Sequence, residues 1–344
     1  MAAENETPAV RGPISSENVA WEEFCEVPRF AVRFRHLTSA AVGDNYHVGV
    51  AIEELAPGKQ AAPAHYHIFE EEHVFVLEGA MTARIGARTY EMKAGDYVCF
   101  PAGQKAGHCL INNSGAVCRY AIVGESNPKE VAVYTDSNKV LVRALGRRAI
   151  FDIAALRGYW DHENTGLGKG ETAPNEMGAV VEDVREPKAP LSFESIAWEP
   201  WSEGQRFGGR VRHLTMAAMG RDYRVGMLIE EVAPGKQSCP FHYHLLEEEQ
   251  ALVLEGRATL RLGSDRYEMK PWDYVCFPAG QRAGHSFINE SAEPFRYLIV
   301  GERKPHDVCI YPDSNKMLVR ALDREHDIFD MGATKNYWDG EETG

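Results

Sequence analysis

The chain has no long apolar run, no paired-cysteine motif and no excess of basic charge, and each absence removes a class of protein. None of its apolar stretches approaches the roughly 20 residues that span a bilayer. The segment from Met1 to Pro13 is polar and acidic, without the apolar centre of a secretion signal. The cysteines, Cys25, Cys99, Cys109, Cys118, Cys239, Cys276 and Cys309, are seven in number and include no Cys-x-x-Cys pair. A disulfide framework and a cysteine-rich zinc site are therefore not expected, whereas a reducing, cytoplasmic location is. With 37 Lys and Arg against 51 Asp and Glu, the net charge of −14 argues against nucleic acid or an anionic membrane as partner. A phosphate-cradling glycine loop, a nucleophile elbow and a dinucleotide fingerprint are all missing as well.

What is present is a chain that contains itself twice. At 344 residues, 44% of them hydrophobic, it has the length and apolar content for two cores. PISSENVAWEEF from Pro13 to Phe24 returns as PLSFESIAWEPW from Pro190 to Trp201, 177 positions later. The same offset relates Pro57-Gly58-Lys59-Gln60 to Pro234-Gly235-Lys236-Gln237, and Asp136-Ser137-Asn138-Lys139 to Asp313-Ser314-Asn315-Lys316. Beyond one inserted residue near Arg324 to Asp327, Tyr159-Trp160-Asp161 matches Tyr337-Trp338-Asp339 at an offset of 178. Two copies mean duplication rather than a solenoid. The expected organisation is a flexible tail over 1–12, a first domain over 13–166, an irregular linker over 167–189 and a second domain over 190–344. Trp160 and Trp338 read as packing anchors.

Within each copy, short runs such as Tyr46 to Glu53, Val74 to Leu77, Met81 to Ile85 and Tyr97 to Phe100 alternate or are β-rich, and Gly and Pro punctuate them. That texture predicts an all-β sandwich or barrel. In a strand, side chains alternate faces, so His65 and His67 point the same way. A short turn then allows Glu72 to open the next strand toward the same interior, and His108 reaches it from a later strand. His242, His244, Glu249 and His285 repeat the arrangement. Three imidazoles and a carboxylate suit Fe, Mn, Co, Ni or Zn and leave positions open for water or substrate.

The segments PGKQAAPAHYHIFEEEHVFVLEG and GDYVCFPAGQKAGHCLIN closely resemble the two signature motifs of the cupin superfamily, and both copies carry them. The resemblance implies a bicupin: two tandem double-stranded β-helix, or jelly-roll, barrels. It assigns His65, His67, Glu72 and His108 as the ligands of one divalent ion and His242, His244, Glu249 and His285 as those of a second, with Fe(II) favoured. Among the consecutive acids Glu70, Glu71 and Glu72, and Glu247, Glu248 and Glu249, the family's spacing to Gly79 and Gly256 selects Glu72 and Glu249. Two departures stand out. Four residues separate Gly103 from His108 where the family usually has two, and Trp272 stands where Gly95 opens the motif in the first copy.

Other recurring positions carry weaker expectations. Glu71 and Glu248 are candidate proton shuttles. Tyr46, Gln60, Arg84, Lys105 and their counterparts Tyr223, Gln237, Arg261 and Arg282 are candidates for a substrate-binding barrel mouth, with a structural role equally open. Cys99 and Cys276 read as packing thiols, and His36 and His213 as structural. Where the copies differ, His73 against Gln250, Phe75 against Leu252 and Ala62 against Cys239, the pockets can differ too. Three functional readings follow: an Fe(II)-type dioxygenase or oxidoreductase on a small organic substrate; a metal-dependent isomerase, lyase or decarboxylase; and a non-enzymatic binding or storage protein. Monomer and homodimer both remain open.

Overall fold

A computed structural model describes residues 10–26, 28–145, 149–157, 186–322, 327–337 and 339–341. It is nearly all β, with two six-residue helices, Leu37–Val42 and Leu214–Met219, at equivalent places in the two copies. None of the helices among these residues is long and apolar enough to cross a membrane. Most of the 1–12 tail, most of the 167–189 linker and both Trp160 and Trp338 lie outside the described residues.

Each copy folds into a barrel of two facing sheets, and every ladder between the strands named here is antiparallel. In the first barrel one sheet runs Ala149–Asp152, Lys139–Val142, Val131–Tyr134, His65–His67, His108–Ile111, Ala80–Ile85 and Arg88–Lys93. The facing sheet runs Asp96–Phe100, Glu72–Glu78, Cys118–Glu125, Val48–Leu55, Phe30–His36 and Glu22–Glu26. The second barrel repeats the facing sheet, with Asp273–Phe277, Glu249–Glu255, Phe295–Glu302 and Val225–Val232 at its centre, while its other sheet is divided into four and three strands joined by a bridge between His242 and His285.

Where the facing sheets of the two barrels meet, their strands Asp96–Phe100 and Asp273–Phe277 are buried on both faces. Along Asp96–Phe100, Val98 and Phe100 point into the first barrel with Val74, Val76 and Tyr120. Tyr97 and Cys99 point the other way, into an apolar layer shared with Leu214, Met227, Leu252 and Tyr274 of the second copy. Period-two alternation thus feeds two cores from one strand. Cys99 and Cys276 are packing thiols in this seam. Polar groups sewn into the layer are paired across it. Tyr97 Oη lies 2.8 Å from Thr215 Oγ1, and Tyr274 Oη lies 2.7 Å from Thr38 Oγ1.

The copies also exchange their first strands. Ile14–Ser15 pairs with Tyr274 and Asp273 on the second barrel, and Leu191–Ser192 pairs with Tyr97 and Asp96 on the first. The strand follows a turn that needs a positive φ, supplied by Gly95 at +87° and by Trp272 at +72°. The turn therefore keeps its shape in the second copy, although an L-residue there pays roughly 1 to 2 kcal/mol. The Trp272 ring packs on the seam and lies under the Arg119 guanidinium of the first barrel at 5.8 Å. Gly79 is required more strictly. At φ +80°, a Cβ would meet the Val117 carbonyl oxygen at 2.7 Å.

Glu71 and Glu248 lie at this seam rather than facing the interior that Glu72 and Glu249 face. Glu71 Oε2 accepts from the amides of Arg224 and Val225 at 2.9 and 3.0 Å. Glu248 Oε2 accepts from His47 and Val48 at 2.8 and 3.1 Å. Both carboxylates are buried and hold the other barrel's backbone. Glu71→Ala is expected to lower global stability by about 2 to 3 kcal/mol, the scale for hydrogen bonds to a charged acceptor. Glu71→Gln, which keeps an acceptor, should lose less. Urea unfolding with both variants measures the difference.

Candidate metal centres

The first cluster is built by register. His65 and His67 share one face of a three-residue strand, and His108 is the cross-strand partner of His65. That pairing brings His108 to the site despite its unusual distance from Gly103. Glu72 begins the facing strand with its side chain inward. The ligand atoms of His65, His67, Glu72 and His108 all lie within 4.8 Å of one another. Glu72 Oε2 is 3.5 Å from His67 Nε2, and Glu72 Oε1 is 3.4 Å from His108 Nε2.

Neighbouring groups orient the rings. His65 Nδ1 lies 2.7 Å from the Pro63 carbonyl oxygen, so it carries the proton and leaves Nε2 as the lone pair. His67 Nδ1 faces Glu130 Oε1 at 3.3 Å, and Glu130 is fixed by the amides of Ile68 and Phe69, each at 3.0 Å. Phe100 stacks on the His108 ring at 3.7 Å and 4°. Burial pushes His65 down to about 4 and lowers His108 as well, so both are neutral donors near pH 7. Burial also pulls His67 down, but hydrogen bonds to Glu130 and Glu72 outweigh it and raise this ring to about 10. Against its own burial, Glu72 is held well below the usual carboxylate range by His108 and His67. His108 Nε2 is buried without a hydrogen-bond partner. An orphaned imidazole nitrogen beside a carboxylate held ionised fits a divalent cation.

The cluster opens on a cavity of about 720 Å³ whose walls include Tyr46, Glu53, Glu70, Tyr134 and Arg143. The second cluster divides into two overlapping groups, His242, Glu249 and His285, and His242, His244 and Cys309. His242 and His285 form a bridge, and His285 Nε2 lies 2.8 Å from Glu249 Oε2. His242 and His244 Nε2 stand 3.8 and 4.0 Å from that same oxygen. Asp307 orients His244 through Nδ1 at 2.7 Å. Phe277 stacks on His285 at 3.7 Å and 3°. The cavity here is only about 210 Å³, walled by Phe277, Phe287, Tyr297 and Ile299.

The sequence profile of the cupin domain matches residues 51–124 and again 228–301, one match over each cluster. The chain is a bicupin. No curated protein matches it. Among solved structures, oxalate decarboxylase from Lactobacillus farciminis in its formate complex is 16% identical, over 86% of this chain and 87% of that one, at a TM-score of 0.54. The putative glyoxylate-induced protein from Pseudomonas aeruginosa is 18% identical over 79% and 80%, at 0.51. A putative sugar phosphate isomerase from Acidithiobacillus ferrooxidans is 28% identical over 41% of this chain and 90% of its own, at 0.38. At these values the likeness concerns the fold.

Of the mouth candidates, Tyr46 lines the first cavity, together with His36. Tyr223 instead lies beneath Arg303, whose guanidinium is 5.1 Å from its ring. Arg84 pairs with Asp136 at 2.5 Å and Arg261 with Asp313 at 2.5 and 2.9 Å, joining each arginine to the aspartate of the repeated Asp-Ser-Asn-Lys. Gln60 is buried, accepting from Arg29 Nε at 2.9 Å and donating to the Ala62 carbonyl at 2.7 Å. Gln237 does the same between Arg206 and Cys239, both at 2.9 Å. Lys105 and Arg282 are exposed. His213 stands 3.9 Å from Glu199.

Four bicupin residues escaped the sequence reading. Glu130 and Asp307 orient the second histidine of each pair, and the change of acid between the copies hid their equivalence. Glu53 and Glu230 occupy inward strand positions and do recur at the 177 offset, which was the available signal. Burial pushes each up to about 7, against a hydrogen bond from Tyr120 or Tyr297 that opposes the rise.

Elemental analysis should find two metal equivalents in the purified bicupin and one in either His65→Ala or His242→Ala. Glu130→Ala should weaken binding at the first site by about 10- to 100-fold, the usual effect of removing a ligand's hydrogen-bond partner.

Proposed function

We propose that this bicupin is a metal-dependent enzyme acting on a small, oxygen-bearing organic substrate in the first barrel, by proton transfer of the isomerase or lyase kind. The observation that carries the reading is Glu53. It lies in the cavity of His65, His67 and Glu72, is not one of the clustered donors, and sits near pH 7 where a general base works best.

The donor set fits a divalent ion, and an ion held by His65, His67, Glu72 and His108 would polarise a carbonyl or carboxylate oxygen of the substrate. The chain's own groups do the rest. Tyr120 donates its hydroxyl to Glu53 Oε2 at 2.5 Å, which fixes the carboxylate on the cavity wall. Glu53 takes a proton from the carbon beside the polarised group and returns it at a neighbouring atom. Arg143, held against Glu70 and donating to the Asn127 carbonyl at 2.9 Å, offers a guanidinium to an anionic substrate group. Tyr46 stands on the same cavity wall.

The dioxygenase reading rests on the donor set alone and gives Glu53 no task. A panel of small hydroxy acids and keto acids in D₂O distinguishes the two. Exchange of carbon-bound hydrogen seen by NMR, without oxygen uptake, supports proton transfer. Stoichiometric oxygen uptake with Fe(II) would replace it with the oxygenase.

The pH dependence has a defined sign. Glu53 is a base only when ionised, so kcat/KM should rise as pH passes upward through about 7. In Glu53→Gln that limb should vanish and kcat should fall by about 10²- to 10⁴-fold, with the metal content unchanged.

A further inference from the structure

The two clusters differ in one donor. In the first barrel, Ala132 is the cross-strand partner of His67. In the second, Cys309 is the partner of His244. Directly opposed residues of an antiparallel pair project from the same face, so this replacement sets a thiol on the face that carries the histidines. The structure bears this out: ligand atoms of His242, His244 and Cys309 lie within 4.8 Å of one another. Glu249 and His285 form a second such group, and His242 belongs to both. The first barrel, with a methyl group in place of the thiol, closes instead as a single group of three histidines and a glutamate.

Cys309 is 3% exposed, and His285 keeps a buried Nδ1 without a hydrogen-bond partner. A second cysteine, Cys239, takes the place of Ala62, with its Sγ 3.6 Å from His242 Nδ1. That nitrogen also faces the Pro240 carbonyl oxygen at 2.9 Å, so Cys239 lies behind the ring and Nε2 is the atom left for a cation.

We infer that the second barrel binds its ion through the Cys309 thiolate as well as through histidine and glutamate, so that one chain carries two chemically different metal sites. Sulfur ligation selects the softer members of the divalent series, zinc and cobalt ahead of manganese. The first barrel, with nitrogen and oxygen donors only, lacks that soft donor. The inference rests on the reading of both clusters as metal sites.

The test uses apoprotein of the full chain loaded with Co(II) alone. Cobalt per chain is measured by elemental analysis, and thiolate-to-cobalt charge transfer is followed in the near ultraviolet. The expected result is two cobalt ions and a charge-transfer band in the wild type. That band should be lost in both Cys309→Ala and Cys309→Ser and kept in Cys239→Ala and His65→Ala. Alanine is the residue the first barrel already tolerates there, and serine keeps the volume, so at least one variant reports on a folded protein. A full cobalt load without the band, or a band that survives in both Cys309 variants, would overturn the inference and leave the metal reading standing. A wild-type chain that takes up no cobalt would overturn both.

Discussion

The central strands of the two sheets that meet at the seam are buried on both faces, and most of the structure depends on that. A strand buried on both sides must satisfy two environments with alternate residues, and this dictates the chemistry along Glu71, Glu72 and His73. Glu72 faces the barrel and its imidazoles. Glu71 and His73 face the seam, where Glu71 accepts two amides of the other barrel and His73 Nδ1 lies 2.8 Å from Tyr97 Oη. Adjacent carboxylates therefore have opposite characters. One is kept ionised by nearby rings, while burial raises the other toward the neutral form.

The same constraint explains what could be read in advance. Ligand positions follow from period two and from the duplication, so His65, His67, Glu72 and their counterparts stood out as a pattern. His108 stood further from Gly103 than the family spacing, yet the antiparallel pairing with His65 fixes it regardless of loop length. What could not be read was the partner of each polar side chain. Arg84 and Gln60 recur as a binding residue would, but recurrence does not distinguish a ligand contact from a clamp. Glu53 shows the converse. A glutamate next to Glu54 in a strand looks like part of a solvated face, and only the fold reveals that Glu54 meets Arg33 at 2.7 Å and Arg119 at 2.8 Å while Glu53 turns inward.

Duplication kept the backbone and let the interiors part. The first cavity is wide, with Tyr46, Glu70 and Arg143 on its walls, and the second is small, with Phe277, Phe287 and Ile299 beside Glu230 and Gln250. A low-dielectric, crowded interior strengthens every electrostatic contact within it but admits little beyond an ion and a few small molecules. The division of labour proposed between the barrels is thus a matter of volume and polarity as much as of ligand identity.

The exchanged strands carry a consequence for how the protein comes into being. The outermost ladder of the first barrel is completed by Leu191 and Ser192, which belong to the second half of the chain. During synthesis, the first barrel cannot close that edge until those residues have left the ribosome, and until then Asp96 and Tyr97 present unpaired backbone groups. The nascent half is thus exposed to pairing with a neighbouring copy for as long as its own chain is unfinished. Translation speed through the intervening segment sets how long that window stays open.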